Sequence, residues 1–308
     1  MTDLTSLNVG GMPTMGIGGG IPFGRVFFVC NRSGAGGADG NDASFDLPMA
    51  TITGALGRCT AGRGDVVVAL QGHAETVTAA AGIAFTKTSV KLVGVGEGSE
   101  RPTINFTTVV GADIDIDAAN VTIQNFLLTG GIDALTGPID VNAAGFRFIN
   151  CETRDVTGQA TDWIVTDDAC DRLYISGWKH AGAAAAGADT AITLVGGDDW
   201  VIEDFDIYGN FAVAAIENVT TAANRIRIGG GARSSYIWTE NAADVAITLH
   251  ASTTGNVGPD INIMLQDNAA NITEAVVGAA AQFFLPINVV NLAGEASMVI
   301  NITASTDA

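Results

Sequence analysis

Hydrophobic positions in the middle of this chain fall into a short alternating segment that keeps returning. Its copies are Val121-Thr122-Ile123-Gln124-Asn125-Phe126, Phe146-Arg147-Phe148-Ile149-Asn150-Cys151, Leu173-Tyr174-Ile175-Ser176-Gly177-Trp178, Trp200-Val201-Ile202-Glu203-Asp204-Phe205 and Ile226-Arg227-Ile228-Gly229-Gly230-Gly231. Their starts lie 25 to 27 residues apart, and a looser copy follows at Ile261-Asn262-Ile263. Each is preceded by a second strand-like stretch, such as Asp113-Ile114-Asp115-Ile116, Pro138-Ile139-Asp140-Val141 or Ala191-Ile192-Thr193-Leu194. Two strands per period at a fixed spacing predict a solenoid, in which each repeat buries its apolar face only by stacking on its neighbours.

Alternation sets the geometry, because successive side chains of an extended strand point to opposite faces. Val121, Phe146, Leu173, Trp200, Ile226 and Ile261 form one predicted inward column, and Ile123, Phe148, Ile175, Ile202, Ile228 and Ile263 the next. A third starts at Phe126, Cys151, Trp178 and Phe205. Between them, Asn125, Asn150, Gly177, Asp204 and Gly230 share one register, and these residue types accept left-handed backbone at a corner. Stacked asparagines there can also form an amide ladder. The predicted fold is all-β, a single-stranded parallel β-helix. Right-handed is the expected sense, since parallel crossovers overwhelmingly take it.

Composition agrees with one elongated unit. Of 308 residues, 47% are hydrophobic and only 15% charged, with 39 glycines, which suits a turn-rich β protein with a continuous core. The net charge of −19 repels phosphate backbones and anionic bilayers, so neither nucleic acid nor membrane is an expected partner. Cys30, Cys59, Cys151 and Cys170 lack zinc-site spacing and the density of a disulfide scaffold, so no obligatory disulfide is expected. No basic segment leads into an apolar run at the N-terminus, and no stretch approaches a membrane span. Synthesis in a cytoplasm without a signal peptide is the expectation.

In chain order, residues 1–24 form a Gly-rich arm with more apolar side chains than a solvated linker needs: Leu4, Leu7, Val9, Met12, Met15, Ile17, Ile21 and Phe23. The arm either lies along its own body or docks on another subunit. Residues 25–64 predict a strand (RVFFVC), a Gly/Asp loop and a helix. That helix spans 46–59, with Met49, Ile52, Leu56 and Cys59 at helical spacing, Asp46 as cap and Pro48 in the first turn. It would plug the open end of a solenoid. Residues 65–255 are the β-helix proper, and 256–308 an irregular β region whose alternating SMVINIT stretch can close the end or pair with a neighbouring chain.

The succession RVFFVC, GADGND, LPMATITGAL, GDVVVALQGHAET and VKLVGVGEGSERPTI resembles the start of a group of tailed-bacteriophage virion proteins with pectate-lyase-like β-helices. Those proteins share a Gly-rich arm, a strand, a "DG" loop, a capping helix and a GD…GHAET first coil. The likeness covers residues 1 to about 130, with only the rung pattern beyond. It implies a non-enzymatic structural protein on the capsid surface, decorating the head through its arm. The implied partners are the major capsid protein or another virion protein and further copies of itself, with a trimer expected from the threefolds of such particles.

A polysaccharide-binding or polysaccharide-cleaving role is the alternative, since β-helices also host lyases and hydrolases, though fold alone does not license activity. It needs facing carboxylates, or a carboxylate cluster with a base to take a proton. Asp113, Asp115 and Asp117 share one outward face, with Asp140 one coil on; the column continues as Val165, Thr193 and Glu217, with no Lys or Arg in register. A calcium ion on that face stays open. Asp162, Asp167, Asp168 and Asp171 near Arg172, and Asp198, Asp199, Glu203, Asp204 and Asp206, read as turn chemistry. Gly36 to Asp42 matches neither a phosphate loop nor an EF-hand. His73, His180 and His250 fit no catalytic motif, and His73 with Glu75 reads as a structural pair. No catalytic residue, cofactor or metal ligand is assigned.

Overall fold

The computed structural model describes residues 24–265 apart from Thr157, 184–187, Val219 and 241–244, together with strand segments at 8–9, 12–13, 276–277, 282–284, 287–291 and 296–300. Three sheets of ten, ten and eight strands run along one axis. The chain is a parallel β-helix.

Each coil contributes three strands, one more than the sequence pattern predicts. The first sheet holds the returning segment: Lys91–Gly94, Thr122–Gln124, Arg147–Ile149, Tyr174–Ser176, Val201–Glu203 and Ile226–Ile228 stack in order. The second sheet contains Thr103–Phe106, Leu127–Gly130, Glu152–Asp155, Lys179–Ala181 and Asp206–Gly209. The third contains Ile114–Ile116, Leu135–Val141, Ala160–Thr166, Ala188–Leu194 and Phe211–Asn218. The second-sheet strand escapes the sequence reading because the chain enters it through a single corner residue, with no polar gap to mark the turn.

That corner is where expected. Asn125, Asn150, Gly177, Asp204 and Gly230 have φ of 60°, 51°, 70°, 56° and 74°. Each adopts left-handed backbone at little steric cost because Asn, Asp and Gly tolerate it; at Gly230 the neighbouring Gly229 is left-handed too. The backbone N–H of Asn125 donates to Ile149 O at 3.0 Å and that of Asn150 to Ser176 O at 2.8 Å, tying each corner to the next coil. The amide ladder does not form at Asn125, whose carboxamide donates backwards to Gly94 O and Gly96 O at 2.9 and 3.1 Å. Two backbone carbonyls thus outcompete a neighbouring amide.

The predicted inward columns are the core. Ile123 aligns with Phe148, Ile175, Ile202 and Ile228 through parallel pairing, and all are fully buried. Ile114, Ile139, Ile164, Ile192, Ile216 and Ile247 form the equivalent third-sheet column. The looser copy at Ile261 is a correction: Ile261 to Ile263 belongs to the second sheet, where Ile237 pairs with Ile263, and Val257 takes the place beneath Ile228. Its identical alternation hid the change of sheet, since period-two pattern carries no information about which face of the coil a strand occupies.

At the N-terminal end, Val26–Val29 already pairs in the first sheet, against Val66–Ala69. The capping helix runs from Ile52 to Arg58, shorter than predicted, and Thr51 rather than Asp46 caps it, its hydroxyl accepting from Gly54 N at 3.0 Å. Asp39 decides the start: its carboxylate accepts from the N–H groups of Ala50 and Thr51 and from the Thr51 hydroxyl. The Glu75 carboxylate accepts from Ile52 N at 2.7 Å, and Lys87 Nζ donates to Leu56 O and Gly57 O, so opposite charges meet both ends of the helix. Ile52, Ala55 and Leu56 close the core. At the far end, Ala296–Ile300 pairs antiparallel with Ile287–Asn291 of its own chain. The arm residues Leu4, Leu7, Met15, Ile17, Ile21 and Phe23 lie outside the described residues; Val9 and Met12 pair in a two-stranded antiparallel turn of backbone.

A Cβ on Gly177 would come within 2.2 Å of Asn150 Oδ1, in addition to the strain of a positive φ. Gly177→Ala is therefore expected to destabilise the fold by about 1–3 kcal/mol, read as a lowered denaturation midpoint, whereas Asn150→Gly, which frees that space, should partly rescue it in the double variant.

Candidate functional site

The outer face of the third sheet carries the acidic cluster that the sequence singles out. Asp115 and Asp140 are paired neighbours on successive coils, followed in register by Val165, Thr193 and Glu217. Asn142 reaches across them, its Nδ2 standing 3.0 Å from Asp115 Oδ1 and 3.4 Å from both Asp117 Oδ1 and Asp140 Oδ2. Asp113 Oδ1 accepts from Ala81 N at 2.5 Å. Desolvation, then the charge of Asp117, pushes the Asp115 carboxyl up to about 6. Desolvation likewise raises Asp113 and Asp140, with other carboxylates adding to it. Further along, desolvation and the neighbouring carboxylates raise Asp162 and Glu217. The face is self-repelling, and the charges acting on it are of its own sign.

The remaining acidic groups are tied to the chain itself. Asp162 Oδ1 accepts from the Thr190 and Thr193 hydroxyls at 2.8 and 3.1 Å, and Asp167 from the Asp168 N–H. Asp171 Oδ1 accepts from Asp198 N, and Asp198 from both the N–H and the side chain of Asn224. Arg225 pairs with Asp199 at 2.6 Å, Arg227 with Glu203 at 2.5 Å, and Arg233 N donates to Asp204. In the glycine-rich loop, Asp39 holds the helix start and Asp42 accepts from Ser44 N. Among the described residues, no group of three or more His, Cys, Asp or Glu side chains is arranged to hold a metal ion. Asp65, fully buried, belongs to the same class: burial would raise it, but the Arg63 guanidinium and the N–H groups of Thr60 and Arg25 hold it below the usual carboxylate range.

His73 and His180 are structural. His73 Nδ1 accepts from Asn31 N, which leaves Nε2 to donate to Glu75 at 3.3 Å, the pairing expected from sequence. His180 is sealed among Trp163, Trp178 and Phe211. Trp178 Nε1 donates to Thr153 Oγ1 at 3.0 Å, and the same hydroxyl shares a hydrogen bond with His180 Nδ1 at 2.9 Å. Desolvation depresses its pKa to about 3. It is a neutral core residue. Trp163, Trp178 and Trp200 are interior too, which removes them from any sugar platform. All four cysteines are free and buried; burial pushes Cys151 and Cys170 up to about 12, far from a reactive thiolate.

A feature absent from the sequence reading lies on the outer face of the first sheet. Position two of the returning segment points outward, and its column runs Lys91, Thr122, Arg147, Tyr174, Val201 and Arg227. The Arg147 guanidinium stacks 4.5 Å from the Tyr174 ring centroid. Beside them is a groove of about 660 Å³ whose charged lining residues are Lys91, Arg147 and Arg172. Among the described residues, no carboxylate lines it. The signal was available in the repeat alignment, where Arg147 and Arg227 occupy equivalent positions, but inward columns drew the reading.

No family model matches the chain, and no curated protein matches it. Among solved structures, a rhamnogalacturonan lyase is similar over 80% of this chain and 69% of its own, at 14% identity and a TM-score of 0.41. A likeness at that level concerns the fold and says nothing of activity.

The two kinds of shifted group predict opposite responses to acid. Asp115, whose folded pKa is raised, is destabilising when ionised, and the folded state takes up its proton first as the pH falls through about 6. Asp115→Asn should raise the thermal midpoint at pH 7, by less than about 1 kcal/mol given its solvent exposure, and the gain should vanish near pH 4. His180, whose folded pKa is depressed, protonates first in the unfolded chain, so stability is lost as the pH falls from about 6.5 to about 3. Denaturant titrations across that window should show a loss of several kcal/mol that is much smaller in His180→Phe.

Proposed function

We propose that the protein is a non-enzymatic structural component of a bacteriophage particle, a capsid decoration protein anchored through residues 1–24. The observation that carries this reading is an apolar patch at the N-terminal end of the rod. There Val66, Val68 and Val93 form a second buried cluster, on the outer side of the first sheet, against Val26, Phe28 and Leu70. Phe45 packs edge-on to Phe28 with ring centroids 5.7 Å apart but remains 65% exposed, and Leu47 is 53% exposed. Exposed apolar side chains such as Phe45 and Leu47 suit a contact with another protein, and Phe45 packs on the strand that follows directly from the arm. The arm's own apolar side chains would add to the same contact, with the major capsid protein or another virion protein as partner. Many copies on one particle would raise the effective affinity well above that of a single contact.

The chemistry of the carboxylates supports binding rather than turnover. Asp167, Asp171, Asp198, Asp199, Glu203 and Asp204 accept from the chain's own donors, and the third-sheet face carries no Lys or Arg in its paired registers to serve as a base. The raised carboxyl of Asp115 favours a second reading, a polysaccharide-binding or polysaccharide-cleaving β-helix, because a carboxyl near 6 can act as a general acid.

Co-sedimentation with the capsids of its phage separates the two. The full chain should bind stoichiometrically, while chains lacking residues 1–24, or carrying Phe45→Asp and Leu47→Asp, should stay folded by circular dichroism and remain in the supernatant. Normal incorporation of both variants would sink the anchoring model, and failure of the intact chain to bind would direct the Asp115 face to a polysaccharide screen.

A further inference from the structure

Carboxylates outnumber Lys and Arg in this chain by 33 to 14, yet the groove on the first sheet gathers Lys91, Arg147 and Arg172 with no acid among its described lining residues. The third sheet gathers the reverse, with Asp115, Asp140, Asp162 and Glu217 partly desolvated and repelling one another. Charge is therefore sorted by face. Glu203 also lies on the first sheet and pairs there with Arg227, whereas Asp140 and Arg147 sit on different sheets of the same coil.

The two rows also share a ruler. Arg147 and Arg227 are three rungs apart in the first sheet, through Tyr174 and Val201. Asp140 and Glu217 are three rungs apart in the third, through Val165 and Thr193. Rungs repeat at about 4.8 Å in both, so each pair spans roughly 14 Å. Asp140 and Arg147 lie in one coil, as do Glu217 and Arg227.

We propose that the acidic outer face of the third sheet docks against the cationic outer face of the first sheet of a second copy, with the rods parallel and without axial shift. Asp140 then meets the neighbour's Arg147 and Glu217 the neighbour's Arg227, while Thr122 and Gln124 offer polar contacts beside Asp115. Arg227 also pairs with Glu203 of its own chain, so it bridges two carboxylates in the assembly. The contact is heterologous, the two patches being different, and with no translation along the axis it closes into a ring when the rotation between copies divides the full turn. Docking removes the self-repulsion of the acidic face and desolvates paired rather than like charges. It uses neither residues 1–24 nor the Phe45 patch, so it stands or falls separately from the anchoring reading.

Light scattering coupled to size exclusion tests it on the full chain. A closed oligomer of fixed mass is expected at low ionic strength, dissociating as salt screens the contact. Arg147→Glu and Asp140→Lys should each yield monomers with unchanged circular dichroism, mixing the two should restore association because the native pair forms at one contact and the reversed pair at the other, and the double variant in one chain should recover the ring. A monomer at every salt concentration overturns the proposal, as does an oligomer indifferent to salt and to both reversals. Monomers that instead bind heparin, with binding lost in Arg147→Glu, would overturn it in favour of a polyanionic ligand for the groove.

Discussion

Everything in this molecule depends on identical strands stacking in register. Each coil offers its neighbours three short rows of backbone donors and acceptors, and the parallel pairing holds Ile over Phe over Ile with no lateral slip. A slip of one residue would turn every core side chain outward, so the hydrophobic columns and the hydrogen-bond ladder enforce each other. The corner residues make this possible. A left-handed backbone at Asn125, Asn150 and Asp204 turns the chain within one residue and keeps consecutive strands close enough to share the same interior.

The interior is filled with apolar side chains and leaves little room for chemistry. Indole and imidazole groups that could serve a site elsewhere are used here to fill volume, each with its polar atom satisfied: Trp163 on Asp155, Trp178 on Thr153, Trp200 on the Cys170 carbonyl. Function is consequently pushed to the outside of the coils, where alternation provides one outward position for every inward one. A solenoid repeats those outward positions in straight rows, so a few substitutions convert a whole side of the rod into a charged or apolar stripe. Three such regions are visible here, an apolar patch at the N-terminal end, a cationic groove on the first sheet and an acidic face on the third. The ends of the rod need different treatment, because a solenoid otherwise exposes its core there; the capping helix under Asp39 and Glu75 and the antiparallel pair at Ile287–Asn291 and Ala296–Ile300 supply it.

By itself the sequence determined the repeat, the inward columns and the corner. Those features follow from local rules, alternation and left-handed tolerance, that a chain carries in one dimension. It also placed Asp115 and Asp140 together, because residues one period apart are neighbours in any stacked repeat, and His73 beside Glu75, because alternate residues of an extended strand share a face. The number of sheets per coil was decided only by the tertiary structure. A corner of one residue leaves no polar gap, so Leu127–Gly130 and its equivalents read as the tail of the strand before. The same cause hid the change of sheet at Ile261. Asp39 displaced Asp46 as the determinant of the helix start because its carboxylate arrives from a loop on the far side of the first strand, a relation no spacing rule encodes. The segregation of cations from carboxylates likewise exists only once the coil assigns each outward residue to a side. Charge counts along a chain sum over all faces, and the direction in which each charge points is set by the winding.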